Sequence, residues 1–364
     1  SESFPYVILE GSRMKKATVS SRVGGLEDLF DQGKNGYLFT PGDSDELAGY
    51  LIELIGDAEK RRSFGENLYK TASEKFSLRS MTETQLSIYG RIMEQVKQTK
   101  VDGKKYDIAI LGYYGYRNSG DDAILKSIIR QLKQRSGDLS IVVLSNNPSE
   151  TRTYYRVQSV HRFNPFRVPA ILSKTRLFIA GGGTLIQDGT SSRSLWYYLF
   201  ILHLAKKKGA RTVLFANGLG PLTGKRNRKA AAMILNRMDA ITLRDTNAYQ
   251  ELVSLDVTKP VIRITADPAL ILTSCDKAAG LEILKKEGIP TEKKLVVLCL
   301  RKWKKVKNAV QILASLADRI VTDFNAVPVF IAMQHPQDLR FSEKVCRSMK
   351  QKGYILSKRY TVDE

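Results

Sequence analysis

Two adjacent carboxylates, Asp121 and Asp122, follow a spaced set of glycines at Gly112, Gly115 and Gly120. Glycine lets the backbone turn sharply and approach a ligand closely. Asn118 and Ser119, just ahead of the acids, are helix-capping types. Two carboxylates at a ligand-facing helix start can take or orient a hydroxyl proton. A negative substrate group can rest on the free N–H groups of the first turn, with Asn118 beside it. The glycines alone equally fit an ordinary strand-to-helix turn; the acidic pair favours chemistry.

Other chemistry-bearing residues stand at comparable places. Gly181, Gly182 and Gly183 follow the apolar run Leu177-Phe-Ile-Ala180 and offer either bare backbone to a ligand or only a tight turn. They lack the spacing of a dinucleotide fingerprint, and Gly220-Pro-Leu-Thr-Gly-Lys-Arg226 lacks that of a P-loop. Arg244 follows Ala240-Ile-Thr-Leu243, where a guanidinium can grip a carboxylate or phosphate through paired hydrogen bonds; the alternative is an ion pair with Asp245 or a neighbour. Arg301 ends the run Lys294-Leu-Val-Val-Leu-Cys-Leu-Arg301 and is either a second anion clamp or one of many basic surface residues. In the first hundred residues Glu2 and Glu10 are spaced so that both can address one ligand, Glu10 from a helix and Glu2 from the loop before it.

The elements needed to position these residues are short strands alternating with helices. From Tyr106 on, strands are expected at 106–112, 139–145, 176–181, 211–216 and 240–243, as apolar runs buried on both faces. That predicts a doubly wound parallel sheet with its ligand outside the C-terminal strand ends. A second α/β unit is expected from about residue 275, with strands at 294–301, 327–333 and 354–356 and helices at 309–322 and 341–350. Before the polar linker 97–105, residues 1–96 predict a helix after Pro5, a strand at 17–21, a strand beginning at Gly36, and helices at 59–75 and 78–96. A further helix from Ser44 is expected, with Leu47 where a capping box would want glutamate.

Charge divides the chain. Residues 1–100 carry 14 Lys and Arg against 15 Asp and Glu, whereas residues 101–364 carry 44 against 22. Two units with different partners follow, the second meeting a polyanion such as a phosphorylated metabolite, an anionic membrane or nucleic acid. No nucleic-acid recognition motif accompanies that charge. Cys275, Cys299 and Cys346 form no disulfide or zinc pattern, and no metal is called for; a reducing cytoplasm is the default. The longest apolar run, residues 195–205, is too short to span a bilayer. It reads as a buried crossover helix ending in lysines, although its aromatic face could also lie on an anionic membrane.

The stretch Leu111-Gly-Tyr-Tyr-Gly-Tyr-Arg-Asn-Ser-Gly-Asp-Asp-Ala-Ile-Leu125 is joined by Gly181-Gly-Gly-Thr-Leu-Ile-Gln-Asp188, Asn217-Gly-Leu-Gly-Pro-Leu222, Ile241-Thr-Leu-Arg-Asp245 and Ala266-Asp-Pro-Ala-Leu270. In that order they resemble the polysaccharide pyruvyl transferases of the CsaB type. Glu2-x7-Glu10, Arg22-Val-Gly-Gly-Leu-Glu27 and Asn35-Gly-Tyr-Leu-Phe-Thr-Pro-Gly-Asp43 resemble the nucleotide-binding half of retaining family 4 glycosyltransferases of the GT-B fold.

These resemblances imply GT-B-like α/β domains, the first and last incomplete in this chain, within a longer fusion protein. They imply transfer of pyruvate from phosphoenolpyruvate to a sugar as a cyclic ketal. The acceptor would be N-acetylmannosamine in a lipid-linked cell-wall polysaccharide precursor, whose carboxylate surface-layer proteins then recognise. Phosphoenolpyruvate is co-substrate and no cofactor is implied. In the first unit Glu10 would bind the nucleotide ribose and Glu2 lie by the donor sugar. In the second, the family's matching arginine makes Arg244 a functional residue; beside it we assign Arg301 to the anionic groups and Asp121 or Asp122 to a hydroxyl, as base or orienter. The general acid is expected to be a histidine beyond Glu364, since His161, His203 and His335 lack the family context. The alternative is a glycosyltransferase throughout, acting in cell-surface polysaccharide synthesis. Either enzyme is expected in the cytoplasm, with contact at the inner membrane face left open.

Overall fold

The computed structural model describes residues 6–75, 104–135, 138–272, 276–302 and 306–362. Glu2, the expected helix at 78–96, most of the linker, Cys275 and the last two residues lie outside them.

The first unit runs α1 (Tyr6–Arg13), β1 (Val19–Ser21), β2 (Tyr37–Phe39), α2 (Ser44–Gly56) and α3 (Ala58–Lys75), with β1 and β2 parallel. Its core gathers Leu26, Leu29, Leu38 and Leu68. The cap of α2 lies one residue earlier than the sequence suggested. Asp43, not Ser44, accepts from the N–H groups of Asp45 and Glu46, at 3.1 and 2.9 Å. Glu46 then reaches back to the Thr40 N–H over 2.6 Å.

The second unit is a seven-stranded parallel sheet. Its strands are β3 (Tyr106–Leu111), β4 (Ile141–Ser145), β5 (Gln158–His161), β6 (Thr175–Gly181), β7 (Arg211–Asn217), β8 (Ala240–Leu243) and β9 (Val261–Ile264). Their spatial order is β5-β4-β3-β6-β7-β8-β9. The chain winds outward from β3 in one direction and from β6 in the other, so the switch point lies between these two strands. Alternation along β3 divides the core. Ile108 and Ile110 pack under α4 (Ser119–Arg135), while Ala109 and Leu111 face the opposite layer. That layer contains α6 (Arg167–Ser173), α7 (Ser192–Lys207), α8 (Lys225–Leu235) and α9 (Thr246–Val253), α5 (Pro148–Tyr155) having preceded β5. The segment 195–205 is the buried crossover: Leu195, Leu199 and Leu202 of α7 are inside.

The third unit comprises α10 (Lys277–Lys286), β10 (Lys294–Leu298), α11 (Ala309–Phe324), β11 (Ala326–Ile331), α12 (Gln337–Ser348) and β12 (Tyr354–Leu356), the three strands being parallel. Strand β10 stops at Leu298, so Arg301 lies beyond the strand the sequence had it closing. Backbone pairing joins this unit to the second: Ser119 N–H donates to the Met333 carbonyl at 2.9 Å and His335 N–H to the Arg117 carbonyl at 3.1 Å. The first unit meets the second where Asp28 bonds the Thr246 hydroxyl and Leu270 enters the cluster around Leu26.

Candidate active site at the switch point

The loops after β3 and β6 form the wall of one crevice. Tyr114, fully buried, donates its hydroxyl to the Gly181 carbonyl over 2.7 Å and so bridges the two loops. The glycines have separate duties. A Cβ on Gly112 would lie 2.3 Å from the Tyr114 ring, and one on Gly182 would lie 2.3 Å from Ile124, so both are glycine because the core leaves no room. Gly181 is likewise closed off by Ile128 at 2.7 Å. Gly183, at φ +65, is different: its nearest neighbour is Asp121 Oδ1, 3.3 Å from where a Cβ would be. Of the three consecutive glycines, it alone brings backbone to the carboxylate.

The start of α4 is not an open anion site. Asn118 caps it, its Oδ1 accepting from Gly120 N–H at 3.0 Å and Asp121 N–H at 3.4 Å. The Ser119 and Asp122 N–H groups are taken by the carbonyls of Met333 and Asn118. With these donors satisfied, an anion must be met by side chains instead, and Asn118 acts as a cap.

The structure divides the acidic pair. Asp122 is buried, accepts from Arg359 Nη2 at 2.8 Å and from the Tyr155 hydroxyl at 3.1 Å. Arg359 also holds Glu150, which Arg117 approaches to 3.4 Å. Asp122 thus ties the second unit to the third. Asp121 faces the crevice. Burial first, then the Asp122 and Asp267 carboxylates, push its pKa up to about 7 against the pull of Arg244 and Arg301.

Arg244 is held rather than loose. Its Nη1 donates to Asp267 Oδ2 at 3.1 Å and its Nη2 to Thr184 Oγ1 at 3.2 Å, while Asp245 lies 3.7 Å from Nε. Asp245 is instead the cap of α9, accepting from Ala248 N–H at 2.7 Å. The partner of the arginine is therefore the aspartate of the Ala266-Asp-Pro motif. Arg301 is exposed and donates to Gln334 Oε1 at 3.3 Å, and its charge reaches Asp121. The structure thus gathers Asp121, Gly183, Arg244 and Arg301, and sets Asp122 apart.

Glu10 lies outside this group, exposed on α1, with its charge felt by the Cys299 thiol of the third unit. Asp188 organises the neighbouring loop, accepting from Thr223 N–H, Gly224 N–H and Asn227 Nδ2 at 3.0, 2.9 and 2.9 Å. Burial opposes its ionisation, but these bonds outweigh it and hold Asp188 at about 2.

Sequence reasoning missed Arg162. It is 3% exposed, donates to the Gly112 carbonyl at 2.8 Å, and lies among the rings of Tyr116, Phe163, Tyr197 and Tyr198. It braces the first glycine of the crevice from beneath. The available signal was an arginine directly after β5, but that strand was not recognised. Among the described residues no cluster of His, Cys, Asp and Glu could hold a metal ion, and no helix is long and apolar enough to cross a membrane.

Residues 118–363 match the family model described as polysaccharide pyruvyl transferase, and residues 1–71 that of glycosyl transferases group 1. N-acetyl-alpha-D-glucosaminyl L-malate synthase of Bacillus anthracis is 30% identical over 100 residues, 28% of this chain and 26% of that protein. O-antigen chain mannosyltransferase C of Escherichia coli is 28% identical over 95 residues, 26% of each chain. The chain spans about a quarter of the length of these relatives. Among solved structures, UDP-GlcNAc 2-epimerase from Neisseria meningitidis aligns with a TM-score of 0.47 at 8% identity, over 71% of this chain and 74% of that one. A glycosyltransferase from Rickettsia africae aligns with a TM-score of 0.42 at 11% identity, over 69% and 68%.

Proposed function

Since the chain belongs to the polysaccharide pyruvyl transferase family, we propose that it transfers pyruvate from phosphoenolpyruvate to a pair of sugar hydroxyls as a cyclic ketal. A role in polysaccharide synthesis follows from the two families it matches. The proposed acceptor is N-acetylmannosamine of a lipid-linked cell-wall precursor, met at the cytoplasmic face of the membrane. The ketal would then mark the glycan for surface-layer proteins.

One arrangement carries the chemistry: the Asp121 carboxyl, pushed up to about 7 by burial, stands beside the bare backbone of Gly183 and within the field of Arg244, which Asp267 and Thr184 hold in place. In the proposed reaction the methylene carbon of phosphoenolpyruvate gains a proton and C2 becomes electrophilic. One sugar hydroxyl adds to C2 and loses its proton, phosphate leaves, and the second hydroxyl closes the ketal with loss of its own proton. A group half protonated near neutral pH can serve on both sides of that proton traffic. Arg244, with Arg301 across the crevice, supplies cations for the carboxylate and the departing phosphate. Gly183 lets the substrate approach Asp121 without a side chain between them. The reaction calls on no resident cofactor.

The test is to mix the protein with phosphoenolpyruvate and a lipid-linked N-acetylmannosaminyl disaccharide, and follow phosphate release and acceptor mass. Matched release and ketal formation, both lost in Arg244→Ala, support the reading. The match of residues 1–71 to glycosyltransferases keeps a second reading, sugar transfer from a nucleotide donor. Consumption of a sugar nucleotide without any ketal would favour it.

A further inference from the structure

The excess positive charge is concentrated. Residues 151–238 contain 16 Lys and Arg and a single acid, Asp188, whose carboxylate is already taken up by Thr223, Gly224 and Asn227. This segment supplies α6, α7 and α8, three neighbours in one layer over the sheet.

Where the charges sit on those helices is informative. None of the three has an acidic residue in its first turn. Arg167 opens α6, Arg193 is second in α7, and Lys225 and Arg226 begin α8; all four are exposed. The N-terminal end of a helix carries partial positive charge, so cations there oppose the helix dipole. The placement recurs in three successive helices, which points to a demand other than helix stability. In a doubly wound sheet these starts lie at the C-terminal strand edge, the same edge as the crevice.

Large apolar side chains accompany the cations. Phe166 is 84% exposed at the start of α6, while Trp196 and Phe200, one turn apart on α7, are 48% and 59% exposed. The Trp196 ring is anchored through Nε1 to Asn227 Oδ1 at 3.1 Å, which leaves its apolar body at the surface. Exposed cations interleaved with aromatic side chains match an anionic bilayer surface, which offers phosphates outside and hydrocarbon just beneath.

We propose that the starts of α6, α7 and α8 form a membrane-docking edge that recognises anionic lipid headgroups, with the aromatic side chains entering the interface beside the crevice mouth. The inference rests on the reading of the acceptor as lipid-linked, since such an acceptor reaches the crevice only from a membrane surface. The whole layer, rather than α7 alone, makes the contact.

The full chain is sedimented with vesicles of phosphatidylcholine alone and of phosphatidylcholine mixed with phosphatidylglycerol. Two variants are compared, Arg167→Gln/Arg193→Gln/Arg226→Gln and Phe166→Ser/Phe200→Ser. The expected result is binding to the anionic vesicles only, weakened on the order of 100-fold by loss of the three charges. The aromatic variant should also bind more weakly, while ketal formation on a soluble acceptor is retained by both. Equal binding to both vesicle types, or unchanged binding by the triple variant, would overturn the proposal. So would duplex DNA that displaces the chain from vesicles and is itself lost in the triple variant, since that edge would then be a nucleic-acid surface. Vesicle binding without any pyruvyl transfer would leave the docking edge standing and remove the proposed reaction, so the two failures are distinguishable.

Discussion

Arg244 donates from Nη1 to Oδ2 of Asp267 over 3.1 Å, both side chains being largely buried. The arginine at the end of β8 is thus fixed in direction before any substrate arrives, and its second amino group is steadied by Thr184. A planar fork held in this way presents its N–H groups in one fixed orientation, which a lysine cannot reproduce. Arg244→Lys should therefore lower kcat/KM by on the order of 100-fold despite keeping the charge. Steady-state phosphate release measures it, and activity near the unmodified level would show that charge alone suffices.

Asp121 makes both activity and stability depend on pH. Its pKa is raised from 3.8 to about 7 in the folded protein, so the folded state holds a proton that the unfolded chain releases. The stability this contributes is complete below about pH 4 and is lost as pH rises through 7. Asp121→Asn should remove that dependence and gain on the order of 4 kcal/mol over the unmodified protein above neutrality. Thermal unfolding from pH 4 to 8 tests this, and parallel curves for the two proteins would count against a carboxyl poised near 7. The pH profile of kcat/KM should also show a limb near 7 that Asp121→Asn abolishes together with most activity.

Asp122 should behave differently from its neighbour. Removing Arg359 leaves its carboxylate buried beside Glu150 without a counter-charge, so Arg359→Ala should cost about 3–5 kcal/mol. Asp122→Asn should cost less and keep most of kcat, because the side chain is directed at Arg359 and Tyr155 rather than at the crevice. Chemical denaturation with activity assays separates the two. A large loss of kcat in a stably folded Asp122→Asn would return that residue to the reaction.

Gly182 and Gly183 offer a matched contrast. Both have positive φ, at +79 and +65, but only Gly182 has a core side chain, Ile124, at 2.3 Å from the missing Cβ. Gly182→Ala should unfold at a markedly lower temperature. Gly183→Ala should lose about 1–2 kcal/mol for its left-handed backbone while losing most activity, as the methyl meets Asp121. Tm and kcat measured together give the comparison.

How much of this was legible depended on burial. Strands β3, β4, β6 and β7 announced themselves because buried parallel strands are continuous apolar runs. Strands β5 and β9 did not, because they are edges. Gln158-Ser-Val-His161 buries only Val160, and Val261–Ile264 buries no residue. Missing β5 hid Arg162, which would otherwise have stood out as another strand-end arginine. The positions of Arg244 at a strand end and of Asp121 in the first turn of the helix after β3 were readable from sequence. Their partners were not: Asp267 is 23 residues from Arg244, and Arg359 is 237 from Asp122, distances across which only the folded chain can pair them.

The most direct measurement is the joint yield of inorganic phosphate and ketal when the protein meets phosphoenolpyruvate and a lipid-linked N-acetylmannosaminyl disaccharide. One phosphate is expected per pyruvyl group added to the sugar, with both products lost in Arg244→Ala and Asp121→Asn. Phosphate without a ketal, or a ketal that persists in both variants, would contradict it.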